Sequence, residues 1–260
     1  LQGRRVVFAA DGLTPGQHTI QVTTLASANQ VGTPTGGSVP LWGTDIKVNP
    51  PSPKNNFVHR NFYLALNPLN SSMVLASHDR QEAGRFETAA AVTTNGGVSW
   101  TTTDFDDTLP DGLQPTGNSS VDFDAGGTGY LISQAYGVAS SGYFVYTTTN
   151  GVNWSPPSKV ITSTYELFRS ATVMKADRSL SSPNEGNLYA FWVLNSTSLP
   201  YFRGINMSRS TDGGVSWSPE VQASNRVHDS NYGPSAAVAP NGTLYVAFEY
   251  IEGNNIISGV

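Results

Sequence analysis

Short apolar segments recur in pairs along the chain from about residue 57 onwards. A turn rich in Gly, Pro, Asn or Asp separates the two members of each pair, and such punctuation is typical of β-strands joined by tight turns. The first members span residues 63–66, 121–124, 171–174 and 236–239, and the second members span residues 73–76, 130–132, 188–192 and 244–248. The pattern predicts a strand, a turn and a second strand, repeated four times.

A turn with a fixed residue pattern follows each of the first three pairs, at residues 93–100, 147–154 and 210–217. The third turn fits Ser-x-Asp-x-Gly-x-x-Trp at every position. The residues of the pattern are Thr93, Asn95, Gly97 and Trp100 in the first turn, Gly151 and Trp154 in the second, and Ser210, Asp212, Gly214 and Trp217 in the third. The second turn departs from the pattern, because Thr149 stands at the Asp position and Asn150 follows it.

The chemistry of these turns is structural. A short side-chain oxygen at the Asp position accepts main-chain N–H groups within a tight hairpin. The glycine gives conformational freedom where a Cβ would clash, and the Trp is a large apolar anchor that wedges between neighbouring units. We interpret these residues as folding elements and not as catalytic groups.

The repeated turn resembles the Asp box of sialidase-like β-propellers. The resemblance implies an all-β fold in which residues 57–260 form blades 1 to 4 of a propeller, about three and a half blades of four antiparallel strands. The Trp-to-Trp spacings of 54 and 63 residues exceed the roughly 40–50 residues of compact propeller repeats, so rim loops of some length are expected. Because sialidase-like propellers usually close with six blades, we expect the rest of the same polypeptide, or another chain, to complete the propeller.

The first 56 residues read as a separate region. Residues 12–22 contain a Pro-Gly turn and an alternating strand, and together with a later strand they resemble the last strands of jelly-roll carbohydrate-binding modules. We assign residues 1–49 to the C-terminal part of a β-sandwich, with a ligand-free spacer as the alternative. Residues 50–56, which include Pro50, Pro51 and Pro53, are a stiff linker.

Composition excludes several classes of function. The net charge is −5 and no basic run occurs, so a nucleic-acid surface is not expected. The absence of cysteine excludes zinc–thiolate sites, iron–sulfur clusters and thiol nucleophiles. No apolar run approaches the roughly 18 residues of a membrane span, so no such span is expected. The first residue is Leu1 and not Met, so we expect a processed chain or a fragment.

The resemblance to sialidases implies a site with three arginines, a Tyr/Glu pair and an acidic Asp at the mouth of the propeller. Arginine suits this task because its planar fork matches a carboxylate. The candidates near the ends of predicted inner strands are Arg60, Asp79, Arg80, Asp122, Arg169, Tyr232 and Glu249. The Arg-Ile-Pro motif of many sialidases is absent, so structural ion pairs are the alternative role for the arginines.

A calcium site is the only cofactor interpretation that the sequence offers. An acidic loop could supply oxygen ligands to Ca²⁺ through Asp104, Asp106, Asp107 and Asp111. The loop lacks the regular spacing of an EF-hand, so a solvated acidic loop is the alternative, and otherwise no cofactor is expected.

Two functions remain from these observations. The first is a non-catalytic binding or architectural module of a large exported, extracellular or cell-surface protein, with a glycan or a protein as its ligand. The second is an exo-sialidase-like glycoside hydrolase with an accessory carbohydrate-binding module. The second predicts that Arg60, Arg80 and Arg169 converge beside a carboxylate.

Overall fold

Seventeen β-strands and one short 3₁₀ turn, Pro110–Gly112, make up the regular secondary structure of the described residues. The computed structural model describes residues 58–82, 85–105, 109–138, 140–163, 167–168, 172–195, 203–224, 231–252 and 255–259. The predicted β-sandwich at residues 1–49 and the linker at 50–56 lie outside these ranges. Within them, no helix has the length and apolar character needed to cross a bilayer.

The strands form four antiparallel sheets, which follow one another along the chain as blades 1 to 4. Blade 1 contains β1 (Val58–Leu66), β2 (Val74–Glu82), β3 (Arg85–Thr93) and β4 (Thr101–Phe105). Blade 2 contains β5 (Gln114–Pro115), β6 (Ser120–Phe123), β7 (Gly129–Tyr136), β8 (Ser141–Thr148) and β9 (Ser158–Ser163). Blade 3 contains β10 (Leu167–Phe168), β11 (Val173–Ala176), β12 (Leu188–Asn195), β13 (Arg203–Ser210) and β14 (Val221–Gln222). Blade 4 contains β15 (Asn231–Val238), β16 (Leu244–Glu252) and β17 (Asn255–Gly259).

Each blade is a meander in which strands that are consecutive in sequence pair side by side. In blades 2 and 3 the innermost strand is split, so that β5 and β6 both pair with β7, and β10 and β11 both pair with β12. Consecutive four-stranded meanders of this kind are the repeating unit of a β-propeller. The predicted all-β, propeller-type architecture is therefore confirmed for the described residues.

Three apolar clusters hold neighbouring blades together. The first joins blades 1 and 2, with Leu75 and Val92 packed with Phe123 and Phe144. The second joins blades 2 and 3, and the third joins blades 3 and 4. We call the side of a blade that faces its predecessor its leading face, and the other side its trailing face. Burial of a leucine, valine or phenylalanine side chain stabilises a fold by about 1.5–3 kcal/mol, so these interfaces form the core of the domain.

The three box turns (residues 93–100, 147–154 and 210–217) share one hydrogen-bond pattern. Asn95 Oδ1 accepts the Ser99 N–H at 3.0 Å, and Asp212 Oδ1 accepts the Ser216 N–H at 2.9 Å. A hydroxyl two residues earlier accepts a second N–H, as Ser210 Oγ does from Gly214 at 2.8 Å.

The second box turn reaches the same pattern with one residue fewer. Asn150 Oδ1 accepts the N–H groups of Val152 and Asn153 at 2.9 and 2.8 Å, and Thr148 Oγ1 accepts the Gly151 N–H at 2.8 Å. Aligning the turn on its Trp places Thr149 at the Asp position, but the structure gives that role to Asn150, because the loop is one residue shorter.

Each of the last two box turns packs against the blade before it. Trp154 of blade 2 lies against Phe105 of blade 1, with ring centroids 5.3 Å apart and an interplanar angle of 73°. A Cβ on Gly151 would lie 2.4 Å from Val92 Cγ2, so only glycine fits there. Trp217 of blade 3 packs against the cluster shared with blade 2, and Ser158 Oγ of blade 2 donates to the Gly214 carbonyl at 2.5 Å.

Candidate functional site

In all four blades the pairing of the innermost strand with the second strand is interrupted at an equivalent position along the strands. We call this interruption the break. In blade 1 the register of β1 shifts between Arg60 and Tyr63, and in blade 4 the register of β15 shifts between Tyr232 and Ser235. In blades 2 and 3 the break is the gap between the two pieces of the split strand. Extra residues in an inner strand leave main-chain groups unpaired in the ladder and redirect side chains, and such bulges are over-represented next to active sites.

Unusual backbone angles accompany the break. Asn61 and Asn118 have φ values of 55° and 45°, and they are the only non-glycine residues of the described chain in the left-handed region. Gly117 and Gly233, with φ values of 90° and 55°, lie at the same level of blades 2 and 4. Asparagine tolerates this region better than most residues, but the conformation still costs of order 1–3 kcal/mol and persists only where the surroundings hold it.

The two asparagines organise a connected set of polar side chains. Asn61 Nδ2 donates to Asp79 Oδ2 at 2.6 Å and to Asn118 Oδ1 at 3.3 Å. Asn118 Nδ2 donates to Gln134 Oε1 at 2.6 Å, and Gln134 Nε2 donates to the Tyr136 hydroxyl at 2.8 Å. We call these five residues, Asn61, Asp79, Asn118, Gln134 and Tyr136, the inner polar cluster.

The same arrangement occurs in two successive blades. In each, an asparagine at the break donates to an acceptor on the second strand, Asn61 to Asp79 in blade 1 and Asn118 to Gln134 in blade 2. The two acceptors are fully buried, whereas Asn61 is exposed to solvent. The cluster therefore has two buried acceptors, Asp79 and Gln134, and one asparagine, Asn61, that is exposed to solvent.

A buried pair of hydroxyls supports the cluster from below. The Gly117 N–H donates to Thr88 Oγ1 at 2.9 Å, and Thr88 and Ser133 share a hydrogen bond of 2.5 Å between their hydroxyl oxygens. Ser133 Oγ also donates to the Gln134 carbonyl at 2.9 Å, so its single proton is used there and Thr88 donates to it. A Cβ on Gly117 would lie 2.5 Å from Asp79 Cγ, so this glycine allows blade 2 to approach the carboxylate of blade 1.

Arg80 does not join Asp79, although the two residues are neighbours on β2. Consecutive residues of a strand point to opposite faces. The Arg80 guanidinium is paired with Glu87 at 2.5 Å and with Asp104 at 2.7 Å. These contacts make Arg80 an ion-pair partner of the outer strands of its own blade.

The other predicted site residues fall at the level of the break or outside the described part. Arg60 is opposite Asp79 in the register of β1 and β2, but the side chain of Arg60 is not among those described. Arg169 lies outside the described residues altogether. Tyr232 and Glu249 are direct cross-strand partners in blade 4. Glu249 stands four residues after Tyr245, as Asp79 stands four after Leu75, and Tyr245 and Leu75 hold equivalent register positions. Glu249 is therefore the counterpart of Asp79 in blade 4.

Asp122 connects two inner strands. Its Oδ1 accepts the Phe123 N–H at 3.0 Å, and its Oδ2 accepts the Ala176 N–H of blade 3 at 3.1 Å. Lys175 and Arg178 lie 3.6 and 3.5 Å from the carboxylate. These contacts link the inner strands of blades 2 and 3 and give Asp122 a structural role as an acceptor.

Two buried tyrosines that are not among the predicted site residues have raised pKa values. Burial raises the pKa of Tyr143 well above its ordinary value, and its ring lies 5.3 Å from that of Trp192 in the core between blades 2 and 3. Burial, together with a hydrogen bond to Asp124, also raises the pKa of Tyr130. Both hydroxyls therefore stay protonated at neutral pH.

The acidic loop is described only in part. Asp104 accepts Arg80, whereas Asp106 and Asp107 lie outside the described residues, as does the side chain of Asp111. Among the side chains that the structure describes, no three His, Asp or Glu residues are grouped so that they could hold a metal ion.

Of the five residues of the inner polar cluster, only Asp79 is among the candidates predicted from the sequence. Asn61, Asn118, Gln134 and Tyr136 carry no charge, and none of them belongs to the repeated box turn. A usable signal was the spacing within the second strands, because Gln134 follows Tyr130 by four residues as Asp79 follows Leu75.

Comparison with known proteins supports the fold. No protein-family model and no curated protein sequence matches this chain. Among solved structures, an α-L-arabinofuranosidase from Fusarium graminearum with an iminosugar inhibitor matches with a TM-score of 0.57 and 14% identity over 75% of this chain. An α-L-arabinanase from Penicillium chrysogenum complexed with arabinobiose gives 0.56 and 15% over 73%. A protein of unknown function from Dyadobacter fermentans gives 0.55 and 12% over 74%.

These similarities concern the fold alone, because the identities are low. The two named enzymes are glycoside hydrolases with a β-propeller fold. This chain spans 57% of the length of each of the three matched structures. It is thus similar to a part of each.

Proposed function

We propose that this chain is a carbohydrate-binding β-propeller module that recognises a neutral sugar at the inner polar cluster. The observation that carries the proposal is the chain of hydrogen bonds from Asp79 through Asn61, Asn118 and Gln134 to Tyr136, at the level where all four inner strands break. Ligand sites of this kind use a few fixed polar groups within a well-packed scaffold.

The chemistry of the cluster suits sugar hydroxyls. A hydroxyl both donates and accepts, and a side-chain amide offers both functions in one plane. Asn61 is exposed and Asn118 is half-buried, while the buried Asp79 and Gln134 fix which amide atoms face which way. A ligand then meets oriented groups, so less conformational entropy is lost on binding.

The charge of the cluster favours a neutral ligand over sialic acid. Asp79 is the only acidic residue among the five, and none of the five has a basic side chain that could pair with a carboxylate. Arg80, one of the three arginines predicted to converge in an exo-sialidase-like site, forms ion pairs with Glu87 and Asp104 on the other face of β2. The fold neighbours support a sugar ligand, since their names describe arabinan-active enzymes, one of them complexed with arabinobiose.

A glycoside hydrolase is the second candidate. Its support is the occurrence of carboxylates at equivalent positions of blades 1 and 4, Asp79 and Glu249, together with the hydrolase names of the fold neighbours. Glycoside hydrolysis generally needs two carboxylates that flank the scissile bond. In this version Asp79 is one of the pair.

We further propose an exported or cell-surface setting for the module, with protein ligands as the alternative to glycans. The low charged fraction of 13% and the absence of cysteine support this setting. A Ca²⁺ ion at the acidic loop of Asp104, Asp106 and Asp107 stays a proposal of the same standing.

Calorimetric titration tests the binding proposal. We expect neutral oligosaccharides, arabino-oligosaccharides among them, to bind, and sialyllactose not to bind. Asp79→Asn should weaken binding at least tenfold, because a hydrogen bond to a charged group contributes about 1.5–3 kcal/mol. Asp104→Asn, which removes a carboxylate outside the cluster, should leave the affinity unchanged.

The same samples separate the two candidates. Release of reducing ends from a neutral oligosaccharide, lost in Asp79→Asn, supports the hydrolase, whereas binding without release supports the binding module. Preferential binding of sialyllactose would contradict the neutral-sugar proposal, as would equal effects of the two substitutions.

A further inference from the structure

Hydrogen bonds between the inner strands of blades 2 and 3 follow a regular spacing. The Met174 N–H donates to Ser120 Oγ at 2.7 Å, and the Ala176 N–H donates to Asp122 Oδ2 at 3.1 Å. In both pairs the donor follows its acceptor by 54 residues, so the two strands lie side by side with a constant offset. These bonds join the trailing face of blade 2 to the leading face of blade 3, where Met174 and Ala176 belong to the shared apolar cluster.

Thr172 extends this series by one step, to the level of the break. Its hydroxyl donates to the main-chain carbonyl of Asn118, which again lies 54 residues earlier in the chain. The acceptor is a main-chain group here, whereas Ser120 and Asp122 accept with their side chains. The series therefore ends on a residue of the inner polar cluster.

Asn118 has a backbone conformation that needs support. Its φ of 45° lies in the left-handed region, and a non-glycine residue keeps such a conformation only where its surroundings hold it. On one side, the Gly117 carbonyl accepts the Gln134 N–H at 3.1 Å. On the other side, the Asn118 carbonyl accepts the Thr172 hydroxyl. The peptides before and after Asn118 are thus held by two contacts, one from its own blade and one from blade 3.

The side-chain amide of Asn118 connects the two halves of the inner polar cluster. Its Nδ2 donates to Gln134 Oε1 at 2.6 Å, and its Oδ1 accepts from Asn61 at 3.3 Å. A change in the backbone angles of Asn118 would displace both amide atoms together. The side chain is half-buried, so its orientation decides which of its atoms a ligand meets.

We infer that Thr172 is a positioning residue for sugar recognition, because its hydroxyl holds the main chain of Asn118 in the conformation that orients the amide. The inference rests on the proposed function of the inner polar cluster. Thr172 is fully buried, so it acts through Asn118 and not by contact with the sugar. Blade 3 thereby contributes to a site whose polar side chains all belong to blades 1 and 2.

Calorimetric titration with an arabino-oligosaccharide compares three variants. Thr172→Val removes the hydroxyl and keeps the shape of the side chain, and it should weaken binding about fivefold, the equivalent of one hydrogen bond. Thr172→Ser keeps a hydroxyl and should retain the affinity of the unaltered chain. Ser120→Ala is the matched control, because it removes the neighbouring hydrogen bond between the same two strands and should leave the affinity unchanged.

NMR spectra recorded without sugar test the positioning role separately. The side-chain amide resonances of Asn118, assigned by their loss in Asn118→Asp, report the surroundings of the amide. They should shift in Thr172→Val and stay in place in Thr172→Ser and Ser120→Ala. If the unaltered chain bound no neutral sugar, the proposed function would fail, while these resonances would still show whether Thr172 orients Asn118.

Three results would overturn the inference. The first is an unshifted Asn118 amide in Thr172→Val, and the second is a sugar affinity of Thr172→Val equal to that of the unaltered chain. The third is an equal loss of affinity in Ser120→Ala or Thr172→Ser, because a general loosening between blades 2 and 3 would then explain the effect. Thermal unfolding checks that each variant folds, and Thr172→Ala replaces Thr172→Val if that variant fails the check.

Discussion

At the scale of single residues, the box turns show that their central acceptor needs an oxygen and not a charge. Asn95, Asn150 and Asp212 all accept main-chain N–H groups at 2.8–3.0 Å. Asp212 alone adds a carboxylate, and it accepts the Ser216 hydroxyl in addition. The turn therefore tolerates Asn or Asp, while a side chain without an oxygen leaves these N–H groups without an acceptor.

The charge of Asp212 nevertheless makes its turn sensitive to acid. The hydroxyl of Ser216, its N–H and the hydroxyl of Ser210 lower the pKa of Asp212 from 3.8 to about 2. Because the folded pKa is the lower one, the stabilisation is present above pH 3.8 and is lost as the pH falls through about 2. We expect Asp212→Asn to remove this pH dependence while keeping the turn, and Asp212→Ala to destabilise the protein at every pH.

Urea unfolding at a series of pH values between neutral and acid measures both effects, and NMR titration of the Asp212 carboxyl gives its pKa directly. Asn95→Ala is the control, because it removes the equivalent acceptor of the first box turn without removing a titrating group. A pH dependence in Asp212→Asn equal to that of the unaltered chain would contradict the assignment.

Gly117 allows blade 2 to approach Asp79 of the inner polar cluster closely. It combines a φ of 90° with a virtual Cβ only 2.5 Å from Asp79 Cγ. We expect Gly117→Ala to destabilise the fold by about 1–3 kcal/mol and to reduce sugar affinity at least tenfold. Gly112→Ala is the matched control, because Gly112 has a φ of 70° with nothing within 4 Å.

The control should lose a similar amount of backbone stability and no affinity. Chemical denaturation and calorimetric titration of both variants separate the two contributions. If Gly117→Ala retained full affinity, the close approach of blade 2 to Asp79 would have no part in recognition.

At the scale of elements, the apolar pattern predicted strands that the structure confirms. The predicted segments 63–66 and 236–239 overlap β1 and β15, and the second members overlap β2, β7, β12 and β16. Turn residues and apolar runs are local, so one sequence reveals them. The propeller-type fold followed from their repetition.

The break in the inner strands was not predictable in the same way. It is a mismatch in register between two strands, and a pattern read along one strand carries no information on its partner. Asn61, Asp79 and Asn118 are separated by 18 and 39 residues, and they meet only because blades 1 and 2 pack together. The second box turn was misaligned for a related reason, since a one-residue deletion shifts the acceptor from position 149 to 150.

At the scale of the whole molecule, stability rests on contacts between neighbouring blades. Each of the three apolar clusters joins one blade to the next. Units that contact only their neighbours have stabilities set by their own folding and by the interfaces on either side. A substitution at an interface is therefore expected to act in proportion to what covers it.

The three box-turn tryptophans test this expectation within one chain. Trp154→Ala should destabilise the protein by about 2–4 kcal/mol, because the indole packs on Phe105 and the first apolar cluster. Trp100→Ala should cost less than about 1 kcal/mol, since Trp100 belongs to no cluster of the described residues. Denaturant unfolding gives both values.

The comparison is informative in either direction. Equal losses for the two substitutions would mean that the tryptophan stabilises its own turn and not the contact between blades. A larger loss for Trp154→Ala supports the contact between blades as the main source of its stabilisation.

The fourfold recurrence of the inner-strand break has an evolutionary consequence. The residues four positions after Leu75 and its counterparts hold equivalent positions in four successive blades. They are Asp79, Gln134, Val193 and Glu249. The first two already hold polar side chains that an asparagine at the break contacts. A point mutation at Val193 or Glu249 would thus alter a ready-made position without redesign of the fold. The side chains at this position can thus change one blade at a time while the scaffold stays constant.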